Sequence, residues 1–169
     1  MESNKHIFIT NGVARSGKDT FAKFLDEFVP TSKVSSIDYV KYIAKRCEWD
    51  PTTKTEKDRK FLSDLKILMG NYNDLPYRTI REAVEHFMKS PEKNVLLIDI
   101  REPAEIDRAK KEFNAETILI VNPNVPHILS NMADRHVHEY EYDWIIKNSG
   151  TLEEFKEKVR EFAKTKNLI

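Results

Sequence analysis

The sequence predicts an α/β protein built around a parallel sheet. Three observations lead there. Val95-Leu96-Leu97-Ile98 and Thr117-Ile118-Leu119-Ile120-Val121 are continuous apolar runs, the pattern of strands covered on both faces. Segments with apolar residues at helical spacing alternate with these runs. The first strand candidate, His6-Ile7-Phe8-Ile9-Thr10, leads into a glycine-bounded loop whose lysine opens a helix: Gly12-Val13-Ala14-Arg15-Ser16-Gly17-Lys18-Asp19-Thr20.

The elements follow in order. Phe21, Phe24, Leu25 and Phe28 give the first helix one buried face, running to about Pro30. Lys33 to Ile37 reads as a short strand ending at Asp38. Val40, Ile43, Ala44 and Cys47 predict a second helix stopped near Asp50-Pro51. Residues from Lys54 to Asp58 are polar. Phe61, Leu62, Leu65, Leu68 and Met69 then predict a third helix ending at Gly70, and Tyr77, Ile80, Val84 and Phe87 a fourth. After the strand closed by Asp99, Pro103 to Phe113 reads as a helix. The segment from Asn122 to Tyr142 is polar and irregular. Trp144-Ile145-Ile146 is a last short strand. Thr151 caps the final helix, with Glu154 completing a capping box and Leu152, Phe155, Val159 and Phe162 as its apolar stripe.

The loop explains itself physically. Gly12 and Gly17 let the backbone curl so that successive N–H groups face a polyanion. Lys18 adds a cation for β- and γ-phosphates, and the helix behind it aims its positive dipole end at the same place. The spacing G-x-x-x-x-G-K is that of a phosphate-binding loop. The position after the lysine, where Ser or Thr commonly holds Mg²⁺, is Asp19, with Thr20 next. Asp19 or Thr20 is expected to reach the metal, directly or through water.

Composition narrows the class. The 169 residues are 40% hydrophobic and 33% charged, the profile of one globular domain spanning 1–169. Lys+Arg and Asp+Glu are equal at 28, which gives no electrostatic basis for a nucleic-acid polymer or an anionic membrane as partner. With Cys47 as the single cysteine, no intrachain disulfide can form. Polar Glu2 to Lys5 after Met1 show no secretory pattern. No apolar run is long enough to span a bilayer. The expectation is a reduced, cytoplasmic protein, monomer or homodimer.

In such sheets, ligands gather at the carboxyl ends of the strands. Asp99 closes a buried strand, where a second acid of phosphate-loop proteins holds Mg²⁺ through water. Arg101, two residues on, is placed to clamp an acceptor phosphate. Glu105 is expected to orient Arg101 or touch a sugar. Asp38 stands where it can take a proton from an acceptor hydroxyl or bind the acceptor's base, and equally where it would cap the helix from Tyr39. The helices between 38 and 90 interrupt the alternation and read as an insertion over the acceptor. From it come Lys41, Arg78 and Arg81, the last two on one helix face. The segment 123–142 reads as a lid whose single arginine, Arg135, would neutralise charge on a transferring phosphoryl group. His127, His136 and His138 lack partners at metal-ligand spacing. Asn148 and Gly150 are placed to touch a purine base, or simply to turn the chain into the Thr151 cap.

These segments resemble the phosphate-loop nucleoside and nucleotide kinase superfamily, most of all the phage-type deoxynucleoside monophosphate kinases. The resemblance rests on residues 12–20 with Lys-Asp-Thr at their end. It rests also on Asp99-Ile100-Arg101-Glu102-Pro103-Ala104-Glu105 and on Asp143 to Leu152, which are similar to Asp-x-Arg-x-Pro-x-Glu and Asp-x-x-Ile-x-Asn-x-Gly-Thr segments of that group. It implies a three-layer α/β/α fold with strand order 2-3-1-4-5. It also implies ATP with Mg²⁺ as cofactors and transfer of the γ-phosphoryl to a small acceptor, a nucleoside monophosphate. Arg15, Ser16, Gly17, Lys18, Asp19 and Thr20 would hold ATP, and Asp38, Arg78 and Arg101 would face the acceptor. Dephospho-coenzyme A and phosphomevalonate kinases share the loop-and-lid logic, so a non-nucleotide acceptor stays open. A nucleotide-dependent switch is the alternative of another class; the Asn-Lys-x-Asp signature of guanine-selective switches does not occur.

Overall fold

A computed structural model describes residues 5–53, 55–125 and 136–169. Five parallel strands, β1 (His6–Asn11), β2 (Thr31–Ser35), β3 (Val95–Asp99), β4 (Glu116–Val121) and β5 (Trp144–Lys147), form one sheet in the order β2-β3-β1-β4-β5. Register brings Thr10 beside Asp99, and Asp99 beside Ser35, so the carboxyl ends of three strands finish level. Among the described residues six helices surround the sheet: α1 (Lys18–Phe28), α2 (Asp38–Arg46), α3 (Glu56–Asn73), α4 (Leu75–Lys89), α5 (Pro103–Phe113) and α6 (Leu152–Thr165).

Alternation along the strands divides the core in two. Phe8, Leu97, Ile118 and Ile120 face α1 and α6, meeting Phe21, Leu25, Phe155, Val159 and Phe162. Ile9, Leu96 and Ile98 face α4 and α5, meeting Tyr77, Ile80, Val84, Phe87 and Ile106. The result is the expected α/β/α stack. Each fully buried large side chain contributes about 1.5–3 kcal/mol. α6 starts with the expected box: Glu154 N–H donates to Thr151 Oγ1 at 3.2 Å, and Thr151 N–H to Glu154 Oε2 at 2.7 Å.

Three boundaries differ from the sequence reading. β2 spans Thr31–Ser35, not Lys33 to Ile37. Asp26 ends α1 by accepting the Thr31 N–H at 2.7 Å, and the chain extends at once after Pro30. Asp38 therefore opens α2 rather than ending a strand, and its Oδ2 accepts the Ser35 N–H at 2.8 Å. The third helix runs through Gly70 to Asn73; the left-handed residue that stops it is Asp74, φ 58°. The first helix likewise ends at Phe28, with Val29 already extended.

Candidate functional site

The loop between β1 and α1 is held from behind. Asn11 is fully buried; its Oδ1 accepts the Gly12 N–H at 2.8 Å and its Nδ2 donates to the Tyr142 hydroxyl at 2.8 Å. Burial pushes the Tyr142 phenol up to about 12, so it stays a neutral partner. Gly12 has φ 152°, and a Cβ there would lie 2.5 Å from the Ile120 carbonyl oxygen. Gly17 has φ 104°, and its Cβ would meet Asn148 Nδ2 at 2.5 Å. Gly12 is thus required by conformation and by space, and Gly17 by conformation. Asn148 Nδ2 donates to the Ser16 carbonyl at 3.1 Å, which braces the loop.

The front of the loop fits a polyanion. Gly17 N-caps α1 and supplies no side-chain acceptor, so the first-turn N–H groups face outward without a cap. Ser16 is 1% exposed, and its hydroxyl has no hydrogen-bond partner among the described residues. Lys18 Nζ donates to the Gly12 carbonyl at 2.5 Å, within the loop it would serve.

This loop opens onto a cleft of about 630 Å³ between the strand ends and the α2–α3 segment. Of the residues singled out from sequence, Ala14, Arg15, Lys18, Asp19, Asp38, Lys41, Asp99 and Arg101 line it. Seven basic and four acidic side chains line the cleft, so a chain of zero net charge concentrates positive charge here. Asp99 accepts from the Thr10 hydroxyl, and its Oδ2 lies 2.9 Å from Lys33 Nζ, which also pairs with Asp19. The hydrogen bond from Lys33 holds the Asp19 carboxyl below its ordinary range. Burial works against the Lys33 charge, but Asp99 and Asp19 outweigh it and raise the ammonium's value.

Asp19 and Asp99, both meeting Lys33, have the hard oxygen donors that Mg²⁺ takes. Among the described residues no group of three or more His, Cys, Asp or Glu converges. Mg²⁺ is commonly held by one or two carboxylates with waters and substrate phosphates completing its shell, which these two acids match. Thr20 does not line the cleft.

Other sequence candidates fall elsewhere. Arg78 is exposed on α4 and does not line the cleft. Arg81 is tied to Glu112 on α5, with Nε at 2.6 Å and Nη2 at 3.2 Å. Glu105 Oε2 lies 2.9 Å from Lys66 Nζ. Gly150 packs against its own helix cap: a Cβ would fall 1.9 Å from Glu154 Oε2. Arg135 and His127 lie outside the described residues, as does half of the segment read as a lid. His136 pairs with Glu139 at 2.6 Å. A second depression along α6 is lined by Glu153, Glu154, Glu157 and Glu161 against Lys156 and Lys158, an acidic balance that suits an anion less than the first cleft does.

The cleft also holds residues that sequence reasoning missed. Arg59 and Lys66 project from α3 with Leu62 and Ser63 between them. Their spacing, i, i+3, i+4 and i+7, is one helix face, and that signal was present in the sequence. Lys66 Nζ lies 2.8 Å from Glu102 and 2.9 Å from Glu105. Burial pushes the Glu105 carboxyl up, with Glu102 beside it adding to the rise. For Glu102 burial acts in the same sense, but Lys66 outweighs it and holds the group low.

No protein-family model matches the chain, and no curated protein sequence matches it significantly. Solved structures do share its fold. A sugar kinase from Janibacter sp. HTCC2649 superposes with a TM-score of 0.57 at 14% identity, covering 95% of this chain and 94% of that one. The dephospho-CoA kinase of Campylobacter jejuni gives 0.51 at 17% identity, covering 96% and 98%. The shikimate kinase of Aquifex aeolicus gives 0.50 at 14% identity, again covering 96% and 98%. The chain has the P-loop kinase fold.

Proposed function

We propose that the protein is an ATP- and Mg²⁺-dependent phosphotransferase that passes the γ-phosphoryl group to a (deoxy)nucleoside monophosphate. One observation carries this reading: the phosphate loop shares one cleft with cations from outside it, Lys41, Arg59 and Arg101. A site that only held nucleotide would need the loop alone. A phosphate loop with further cations outside it suits two phosphorylated substrates brought together.

Phosphoryl transfer asks mainly for positioning and charge neutralisation. The loop N–H groups, the Ser16 hydroxyl and Lys18 hold the triphosphate. Asp19 and Asp99 hold Mg²⁺, which when bound neutralises charge on the phosphate oxygens. Arg59, Lys41 and Arg101 orient the acceptor phosphate in line with the loop. Asp38, its Oδ2 fixed by the Ser35 N–H, presents a carboxylate to the acceptor's base or hydroxyl.

The same cations suit dephospho-coenzyme A or phosphomevalonate, and one of the structures sharing the fold is a dephospho-CoA kinase. An ATP-to-ADP coupled assay with Mg²⁺ over ribo- and deoxyribonucleoside monophosphates and these two compounds separates the cases. Fast ADP release with one or a few nucleoside monophosphates, and slow release without any acceptor, is the expected result. ADP release equally fast with and without acceptor would replace the kinase by a nucleotide-dependent switch.

A further inference from the structure

Lys33 stands where three elements meet. Its ammonium comes from β2, Asp19 from the first turn of α1, and Asp99 from the end of β3. Nζ pairs with Asp19 Oδ1 and lies 2.9 Å from Asp99 Oδ2. The Thr10 hydroxyl takes the other oxygen of Asp99. The Lys33 side chain is 28% exposed and that of Asp99 16%, so this contact is shielded more than a surface ion pair, whereas Asp19, 96% exposed, meets Lys33 from the solvent side. Two carboxylates sharing one cation repel each other when that cation leaves, unless another replaces it.

We infer that Lys33 is a positioning residue that fills the cation place between Asp19 and Asp99 until a triphosphate arrives, so that Mg²⁺ enters with the nucleotide and not ahead of it. This rests on the assignment of Asp19 and Asp99 as the metal-holding carboxylates under the proposed function. Mg²⁺ gives up water reluctantly, and two carboxylates alone are a weak inducement. A tethered ammonium competes at high effective concentration. The triphosphate tips the balance in two ways. It brings its own oxygens to the metal, and it offers the Lys33 ammonium a new anion. The four-carbon stem lets that ammonium swing without moving β2.

The contrary view is that Lys33 is only a clasp between β2 and α1. A clasp and a cation stand-in differ in what its removal creates. Without Lys33, the stand-in leaves two facing carboxylates ready for a divalent ion; the clasp leaves only a weaker fold.

Mn²⁺ is titrated into the nucleotide-free protein, and free Mn²⁺ is followed by electron paramagnetic resonance. Wild type is expected to bind Mn²⁺ weakly. Lys33→Met is expected to bind one Mn²⁺ at least about tenfold more tightly, the scale of a removed like charge a few ångströms from the ion. Adding Asp19→Asn to Lys33→Met should erase the gain. Equal Mn²⁺ binding by wild type and Lys33→Met would overturn the inference. Lys33→Gln, which keeps a polar head, makes the same comparison if the Met variant does not fold. Wild type also decides alone: Mn²⁺ bound as tightly without nucleotide as with a non-hydrolysable ATP analogue would overturn the inference. A wild-type chain that binds no such analogue fails the phosphotransferase reading, whereas the nucleotide-free titration judges Lys33 independently.

Discussion

The loop side of the cleft hangs from the densest part of the core, whereas Arg59 and Lys66 are carried by a helix, α3, with no buried residue. β1 enters the loop through Phe8 and Ile9, and α1 leaves it through Phe21 and Leu25, all at most 1% exposed. α3 has none. It exposes Ile67, Leu68 and Tyr72, and it is tied to the body through ion pairs such as that of Lys66 with Glu102 and Glu105. A loop that must hold N–H groups at fixed places needs a stiff mount, because misplaced dipoles stabilise charge poorly. A side that meets the second substrate can be softer, since regions with few buried contacts open at low cost.

Several substitutions break or sharpen this contrast. Lys18→Ala should lower kcat/KM about 10³-fold or more while the melting temperature stays near that of wild type, since the side chain is partly exposed and donates to the loop's own Gly12 carbonyl. Near-normal turnover would remove the loop from the chemistry. Arg59→Ala should raise the acceptor KM about 10- to 100-fold, the scale of one charge-assisted hydrogen bond, with the ATP KM little changed. An equal rise in both would mean the two sides do not divide the substrates.

Asp143 tests the packed side without touching the cleft. Its Oδ2 accepts the Thr117 N–H at 2.8 Å and the Thr117 hydroxyl at 2.9 Å, and lies 2.8 Å from Lys110 Nζ. Burial opposes the charge, but Lys110 and Thr117 outweigh it and hold the carboxyl low. A depressed acid stabilises fully above its unfolded value, about 3.9, and less as pH falls through the native value below it. Asp143→Asn should cost about 1–2 kcal/mol at neutral pH, discounted for partial exposure, and flatten the stability loss below about pH 4. Urea melts across pH 2.5–7 check both. Tyr72→Ser, on the exposed face of α3, should change stability by less than about 0.5 kcal/mol in the same melts.

The same contrast explains what was legible in the sequence. Continuous apolar strands and the G-x-x-x-x-G-K spacing are written locally, so the parallel sheet, its helices and the loop could be read directly. The strand order came from the resemblance. The α3 side of the cleft is tied down by ion pairs of Lys66 with Glu102 and Glu105, distant in sequence, so its helical spacing alone did not say which face meets the cleft. Leu68 looked like core because it lies at helical spacing from Leu65 and Phe61, yet it is 66% exposed. Arg78 and Arg81 drew notice as a pair, but Glu112 takes Arg81, and Arg59 occupies the cleft. Lys33 was hidden because the β2 boundary was set two residues late; with Ser35 level with Asp99, its place near both acids follows. Asn11 carries no motif, and its bracing role appears only once Tyr142 comes beside it.

The most direct test of the account is to follow the fate of the γ-phosphoryl group by ³¹P nuclear magnetic resonance, with ATP, Mg²⁺ and the nucleoside monophosphate that the panel selects. The account predicts paired resonances of a new nucleoside diphosphate growing in step with ADP. Growth of inorganic phosphate alone, at a rate indifferent to the monophosphate, would contradict it.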